Sequence, residues 1–430
     1  MTTPHSAQRP RSFPDGFLWG AATAGHQVEG SNVNADIWHE EWAPGSAYAE
    51  PSGDAIDHYH RYREDIALLA DAGLSAFRTS VEWSRVEPEP GYTSRAALDH
   101  YRRVFEACHE RGVEPVLTFN HFTVPAWFAA QGAWTSRDAP ERFAAYCQRV
   151  AQHLGDLVTY AFTLNEPNVA SLMSAIGMLP FGTDGPDRDS DLWGVVRPKG
   201  APRVGADPDK WRTGQITWPE YNDQVIQAHR LARDAAKSSQ SHLQVGWTLA
   251  LADLQPTEDG VDAWREAQFA SEELWLEVSR DDDIVGVQSY GRERIGPHGR
   301  VPVEPGRPTN QLGWELYAPA LANTCRLAAE VSRRPVLVTE NGVATLDDGL
   351  RTAHTRATLE ELHAAIQDGV DIRGYLHWTL LDNFEWASGY EPRFGLIEVD
   401  RTTFERRPKP SLAWLGTVAR ANALDVASEV

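Results

Sequence analysis

Glu166 and Glu340 each close a run of apolar, strand-forming residues, Tyr160–Pro167 and Pro335–Glu340. A carboxyl group embedded in such a run is costly unless it is paired or hydrogen-bonded. Either one alone reads as structural. Two at the same end of a sheet, with His121, Asn165 and Trp378 at neighbouring run ends, read as a reactive pair. One carboxylic acid can hand a proton to a poor leaving oxygen while a second carboxylate attacks or activates water. The lysines Lys199, Lys210, Lys237 and Lys409 fall in loops or helical stretches, so none is placed for a Schiff base. Paired carboxylates without a metal set suit glycoside hydrolysis, where the leaving alkoxide is poor and the transition state is cationic at the anomeric carbon.

The elements that must position this pair follow one rhythm. Apolar runs recur at Phe17–Thr23, Ala76–Trp83, Glu114–His121, Tyr160–Pro167, Leu243–Ala250, Ile284–Tyr290, Pro335–Glu340 and Ile372–Leu381. Several are too continuously apolar for half-exposed strands, which suits a parallel sheet covered by helices. Between them Ala55–Ala72, Arg95–Arg111, Pro140–Leu154 and Thr352–Asp368 read as helices closed by Gly73, Gly112, Gly155 and Gly369. Glycine just past a helix supplies the left-handed residue that ends it. Further helices are expected near Pro219–Lys237, Ala263–Arg280, Leu316–Val331 and Pro410–Ala419. Eight strands alternating with eight helices predict an α/β fold, a single (β/α)8 TIM barrel with long βα loops. A doubly wound open sheet is the rival, without a Gly-rich dinucleotide fingerprint to support it. The expected organisation is an N-terminal tail over 1–12, the barrel over 13–420 and a C-terminal tail over 421–430. The connection from Asn168 to Thr217, rich in Gly, Pro and Asp and carrying Trp193 and Trp211, is much longer than an ordinary loop. It reads as a surface insertion or as a lid beside the catalytic face.

Composition narrows the class. The 430 residues carry a formal net charge of −21, which argues against nucleic acid and anionic membrane surfaces as partners. Cys108, Cys147 and Cys325 are too few and too scattered for a disulfide framework or a zinc cluster. Met1–Arg11 is polar, without the apolar core of a leader, and no run approaches the roughly 18 apolar residues of a membrane span. The cytoplasm is the expected compartment. The 16 tryptophans hint at sugar, whose C–H faces suit flat aromatic rings.

On these residues the sequence resembles glycoside hydrolase family 1, the β-glucosidase family. The likeness starts at Phe13-Pro14-Asp15-Gly16-Phe17-Leu18-Trp19-Gly20-Ala21-Ala22-Thr23 and Gln27-Val28-Glu29-Gly30. It continues through Asn165-Glu166-Pro167, Thr339-Glu340-Asn341-Gly342 and Leu380-Leu381-Asp382-Asn383-Phe384-Glu385-Trp386, to about Trp414. The resemblance implies a retaining β-glycosidase acting on terminal β-D-glucosyl residues, with Glu166 as acid/base and Glu340 as nucleophile. Retention requires the two carboxyl groups about 5–5.5 Å apart. It also implies Arg78 beside the nucleophile, Tyr290 hydrogen-bonded to it, and Asn165 on the sugar 2-hydroxyl. Gln27, His121, Glu385 and Trp386 would bind the glycone, with Trp378 as the platform beneath it. Trp314 and Asn168 fall on the aglycone side. No cofactor or metal is implied, and homo-oligomerisation is left open.

The sequence departs from the family in places. Phe122 stands where the family has Trp after the glycone His. The strand-six pattern Asn-Tyr-Tyr reads Gln288-Ser289-Tyr290. The segment after Asn168 follows no common pattern. These changes leave leaving-group specificity open, along with galactose or fucose preference and transglycosylation. Glu385-Trp386 disfavours 6-phospho sugars, because the phosphoglycosidase branch carries Ser in place of that Glu. A metal-dependent barrel using His58-Tyr59-His60 is disfavoured, since this pair lies in a helical stretch. Ca²⁺ at Asp187–Asp191 or Asp281–Asp283 is less expected than solvated loop charge. A non-catalytic sugar-binding barrel would need Glu166 or Glu340 replaced, and both are present.

Overall fold

The computed structural model of the protein describes residues 11–175 and 218–424. Most of the two expected tails, and the long connection beyond Ala175 with Trp193, Trp211 and Asp187–Asp191, lie outside the described residues.

The eight apolar runs are the eight strands of a barrel. They are β1 Leu18–Ala22, β2 Ala76–Ser80, β3 Glu114–Asn120, β4 Tyr160–Asn165, β5 Gln244–Ala250, β6 Val285–Gln288, β7 Val336–Asn341 and β8 Ile372–Trp378. Each pairs in parallel with the next, and β8 returns to β1 in the register Leu18↔Gly374. This closure rules out the open sheet. The runs are continuously apolar because both faces of each strand are covered. Ala76, Val116, Phe162, Leu337 and Leu376 pack with one another inside the cylinder. Their neighbours Phe77, Leu117, Ala161, Val338 and Tyr375 pack outward against the helix residues Ile66, Leu69, Tyr101, Phe105, Phe143 and Tyr146.

The surrounding helices are α1 His58–Ala72, α2 Arg95–Glu110, α3 Ala139–Leu154, α4 Trp218–Ser239, α5 Val261–Gln268, α6 Leu274–Val278, α7 Ala320–Ser332, α8 Asp348–Gln367 and α9 Pro410–Ala421. Gly73, Gly112 and Gly369 take the expected left-handed conformation, at φ 97°, 68° and 97°. Gly155 does not: its φ is −67°, and the chain runs on into a 3-10 turn over Gly155–Leu157. Its glycine serves close approach instead, since a Cβ there would lie 2.6 Å from Gln240 Cγ. The single helix expected over Ala263–Arg280 is interrupted by a π-helical turn, Phe269–Glu273. The wider turn lets the Ser271 carbonyl accept from Asn168 Nδ2 at 2.9 Å, while Glu272 Oε1 accepts from the Ala252 amide at 2.8 Å.

Two β-bulges matter for the site. The β4–β5 register shifts between Phe162 and Asn165, and the β6–β7 register shifts between Val338 and Glu340. A bulge inserts a residue and so re-aims the side chains beyond it. Both fall just before the residues that the sequence marks as reactive. The interior layer above the apolar one is consequently polar: Arg78, Thr118, Asn165, Thr248, Gln288 and Glu340 are all buried.

Gly342, just past β7, is packed hard against β8. A Cβ would lie 1.9 Å from the Trp378 carbonyl oxygen. Gly342→Ala is expected to cost about 1–3 kcal/mol through overpacking, seen as a lower denaturation midpoint with an unchanged slope.

Candidate active site

At the carboxyl ends of the strands a cavity of about 860 Å³, its open mouth included, is lined by His121, Asn165, Glu166, Tyr290, Glu340, Trp378, Glu385 and Trp386, among others. Glu340 emerges at the end of β7 with both oxygens engaged. Oε1 accepts from Arg78 Nη1 at 2.6 Å and from Gln288 Nε2 at 2.6 Å. Oε2 accepts from the Tyr290 hydroxyl at 2.6 Å. All three partners are donors, an arrangement that suits an ionised carboxylate.

Glu166 is held by its backbone. Its φ is 46°, a left-handed conformation that a residue with a side chain adopts at a cost. Its N–H donates to the Thr248 carbonyl at 2.8 Å and its carbonyl accepts from Val169 N at 3.0 Å, fixing the turn after β4.

The environments push both carboxyls upward, unequally. Burial raises Glu166 well above the ordinary carboxylate range, the charge of Glu340 adds to it, and Arg78 offsets only part. Burial raises Glu340 too, but Arg78 and Tyr290 pull it back. The two titrate as a pair, with Glu166 the group more easily kept protonated. Tyr290, raised by burial and by Glu340, stays a donor. His121 is pushed well below its usual value by burial and by the Arg78 cation, so it is a neutral ring.

Around this pair lie buried polar atoms without partners: Asn165 Nδ2, His121 Nδ1, Gln27 Oε1 and Glu385 Oε1. Buried groups of this kind cost stability unless a ligand satisfies them. The Glu385 carboxyl is raised well above normal by burial and by Glu340, and is hydrogen-bonded by Trp378 and Gln27. The His121 ring stacks against Trp378, with centroids 5.8 Å apart, and against Trp386 at 6.2 Å. Aromatic faces and unpartnered polar atoms together suit a small polyhydroxylated ring.

The family model described as Glycosyl hydrolase family 1 matches residues 9–287 and 288–424. The chain belongs to this family. It is 34% identical to the thermostable β-glucosidase B of Thermobispora bispora, over 96% of this chain and 92% of that protein. It is 29% identical to a bifunctional β-D-glucosidase/β-D-fucosidase of Bifidobacterium breve, over 94% of this chain and 97% of that one. The crystal structure of the β-glycosidase BGL167 superposes with a TM-score of 0.87 at 47% identity, covering 97% of this chain and 99% of that one. As a family 1 member the chain is an O-glycosyl hydrolase.

Within the family 1 barrel, most residues singled out in the sequence converge on the cavity. Arg78 and Gln27 sit behind its wall and touch Glu340 and Glu385 respectively. Trp314 lines the cavity and packs on Tyr290, with centroids 5.8 Å apart. Asn168 is corrected. It is fully buried, and its amide is spent on the Ala250 carbonyl at 2.7 Å, the Ser271 carbonyl at 2.9 Å and the Ala250 N–H at 3.0 Å. It clamps the turn after β4 to β5 and offers nothing polar to a leaving group. His58 and His60 face apart, onto Asp65 at 2.7 Å and Asp57 at 2.6 Å. Asp282 and Asp283 are not solvated loop charges: Asp282 is buried against His229 and Arg233, and Asp283 pairs with Lys237. Sequence reasoning noticed Gln288 only as a departure, and missed Thr248 and the apolar residues Val169, Leu172 and Met173 that line the outer cavity.

If the charge of Glu340 helps hold Glu166 protonated, Glu340→Gln should lower the Glu166 pKa while burial keeps it above the ordinary value. Carboxyl titration by ¹³C NMR of glutamate-labelled protein measures this directly. An unmoved or raised value would contradict the coupling.

Proposed function

We propose that the protein is a retaining β-glucosidase, with Glu340 the nucleophile and Glu166 the acid/base. The observation that carries this reading is the asymmetry of the two carboxyls in one cavity: Glu340 faced by three donors, Glu166 buried and raised well above its usual range. Glu166 donates its proton to the glycosidic oxygen as a Glu340 oxygen attacks the anomeric carbon. The product of this step is a neutral glycosyl ester. Once Glu340 carries no charge, Glu166 ionises more readily, takes a proton from water and drives hydrolysis of the ester. Activity falls at low pH as Glu340 becomes protonated, and at high pH as Glu166 loses its proton. Asn165, through its free Nδ2, is the contact for the sugar 2-hydroxyl. Gln27, His121, Glu385 and Trp386 hold the remaining hydroxyls over Trp378.

Glucose is the proposed glycone. Fucoside turnover is a secondary activity in this reading, in line with the name of the Bifidobacterium relative. The barrel spans 13–420 and works in the cytoplasm, a setting that suits free buried thiols at Cys108, Cys147 and Cys325. Among the described residues no helix is long and apolar enough to cross a membrane.

Glu340→Gly is the decisive test. It leaves the fully buried Arg78 cation without its counterion, and buried charges of this kind are strongly destabilising. Turnover of an aryl β-glucoside should vanish. Added azide, a small anion attracted by that cation, should restore turnover with formation of the α-glycosyl azide. A variant that keeps most of its activity would overturn the assignment.

The leaving group is proposed to be apolar and bulky, because Val169, Leu172, Met173, Ala250, Leu251 and Trp314 line the outer cavity. Leu172→Asp is expected to lower kcat/KM for naphthyl glucosides roughly 10–200-fold, the worth of an apolar contact. The ratio of glucoside to fucoside rates, measured with one shared leaving group, should not move. An equal loss for small and large leaving groups would count against the apolar site.

A further inference from the structure

Gln288 makes the same two contacts as Arg78. Its Nε2 donates to Asn165 Oδ1 at 2.8 Å and to Glu340 Oε1 at 2.6 Å. Arg78 reaches the same two oxygens through Nη2 and Nη1, each at 2.6 Å. The amide can face only one way. Turned over, Gln288 would press its carbonyl oxygen against two acceptors. Its own Oε1 is buried without a partner, and the side chain is 1% exposed.

Two consequences follow for the atoms it touches. Asn165 Oδ1 receives Arg78, Gln288 and also the Thr248 hydroxyl at 3.0 Å. A flipped Asn165 would point its NH2 at three donors, so Nδ2 is forced toward the cavity that Asn165 lines, where it has no protein partner. Glu340 Oε1 holds a cation and an amide, whereas Oε2 holds one neutral hydroxyl, that of Tyr290. Attack through Oε2 displaces only that hydroxyl. Oε1 then becomes the carbonyl oxygen of the ester, a good acceptor, and keeps both donors throughout.

We infer that Gln288 is a positioning residue that selects Oε2 of Glu340 as the attacking atom and turns the Asn165 amide toward the sugar 2-hydroxyl. This rests on the proposed roles of Glu340 and Asn165. In the step itself the Oε2 electron pair forms the bond to the anomeric carbon. The bond to the leaving oxygen breaks, and that oxygen takes the Glu166 proton. Gln288 exchanges no proton.

The test compares Gln288→Met, close in length but without donors, and Gln288→Asn, which keeps a shorter amide, on an aryl β-glucoside and its 2-deoxy analogue. Gln288→Met is expected to lose kcat/KM on the glucoside on the order of 100-fold, with the loss in kcat rather than KM. Preference for the glucoside over the 2-deoxy analogue should narrow about tenfold, one hydrogen bond's worth. The acid limb of the pH profile should move up, because the ionised Glu340 has lost a donor. Gln288→Asn should fall between Met and the parent on all three readouts, and it carries the test if the Met variant does not fold. Equal losses on both substrates with an unmoved acid limb would leave Gln288 a packing residue and overturn the inference. Azide rescue of Glu340→Gly separates the cases: rescue with unaffected Gln288 variants defeats the inference alone, and no rescue defeats the nucleophile assignment beneath it.

Discussion

A guanidinium without access to water governs the catalytic end of this barrel. Arg78 is 0% exposed, and its nitrogens are spent on Thr118 Oγ1 at 2.9 Å, Glu340 Oε1 at 2.6 Å and Asn165 Oδ1 at 2.6 Å. A buried cation is tolerated only with a close counterion and saturated donors. Glu340 is therefore required for the cation's burial, and the cation in turn favours the charged form that attack on an anomeric carbon needs. One constraint ties β2, β3, β4 and β7 together and sets the electrostatics of the cavity. Without Arg78, burial would push Glu340 further up toward Glu166, and the asymmetry between the two carboxyls would shrink.

The backbone delivers these groups by breaking its own regularity. A strict alternation along β4 and β7 would send neighbouring residues to opposite faces. The register shifts before Asn165 and before Glu340 override it. Glu166 then leaves the strand in a left-handed conformation held by the Thr248 carbonyl. The same β5 residue thus fixes two consecutive groups, Glu166 through its backbone and Asn165 through its hydroxyl. Such local cost is borne by a barrel whose apolar layer and inward helix faces are buried.

What the sequence made legible reflects the physics of each element. Parallel strands covered on both faces produce unbroken apolar runs, so all eight were readable. The carboxylates were readable because a charge within such a run needs a reason. Three glycine stops were correct, but Gly155 follows a helix in the same way while serving a close contact with Gln240, and spacing does not separate those causes. The π turn in Phe269–Glu273 left no mark because its residues are ordinary helix formers. Bulges likewise have no periodic signature, so the convergence of Gln288, Thr248 and Asn165 on one point could not be computed from strand register. Leu172 and Met173 read as generic apolar residues, and only the placement of the short helix Val169–Ala175 makes them a cavity wall. Asn168 shows the opposite error: a polar residue beside a reactive one was given a ligand when backbone groups already consume it.

The two ends of the cavity discriminate by different physics. On the inner side, Asn165, His121, Gln27 and Glu385 hold buried polar atoms that no other protein group satisfies, open to a ligand's hydroxyls. A sugar lacking the matching hydroxyl leaves such an atom unsatisfied, and that failure is penalised by as much as about 10⁴-fold. On the outer side Val169, Leu172, Met173 and Trp314 offer area without direction. Exchanging one apolar leaving group for another changes buried area by a few methylenes, worth roughly 10–200-fold at most. In the proposed reading, selectivity is accordingly steep for the ring that is attacked and shallow for the group that departs. Asn165 is anchored to the same hydrogen-bonded layer as Arg78, whereas the outer wall stands on the short helix Val169–Ala175 and on the segment carrying Trp314. On the same proposed reading, substitutions outside retune the leaving group without disturbing the Arg78–Glu340 pair.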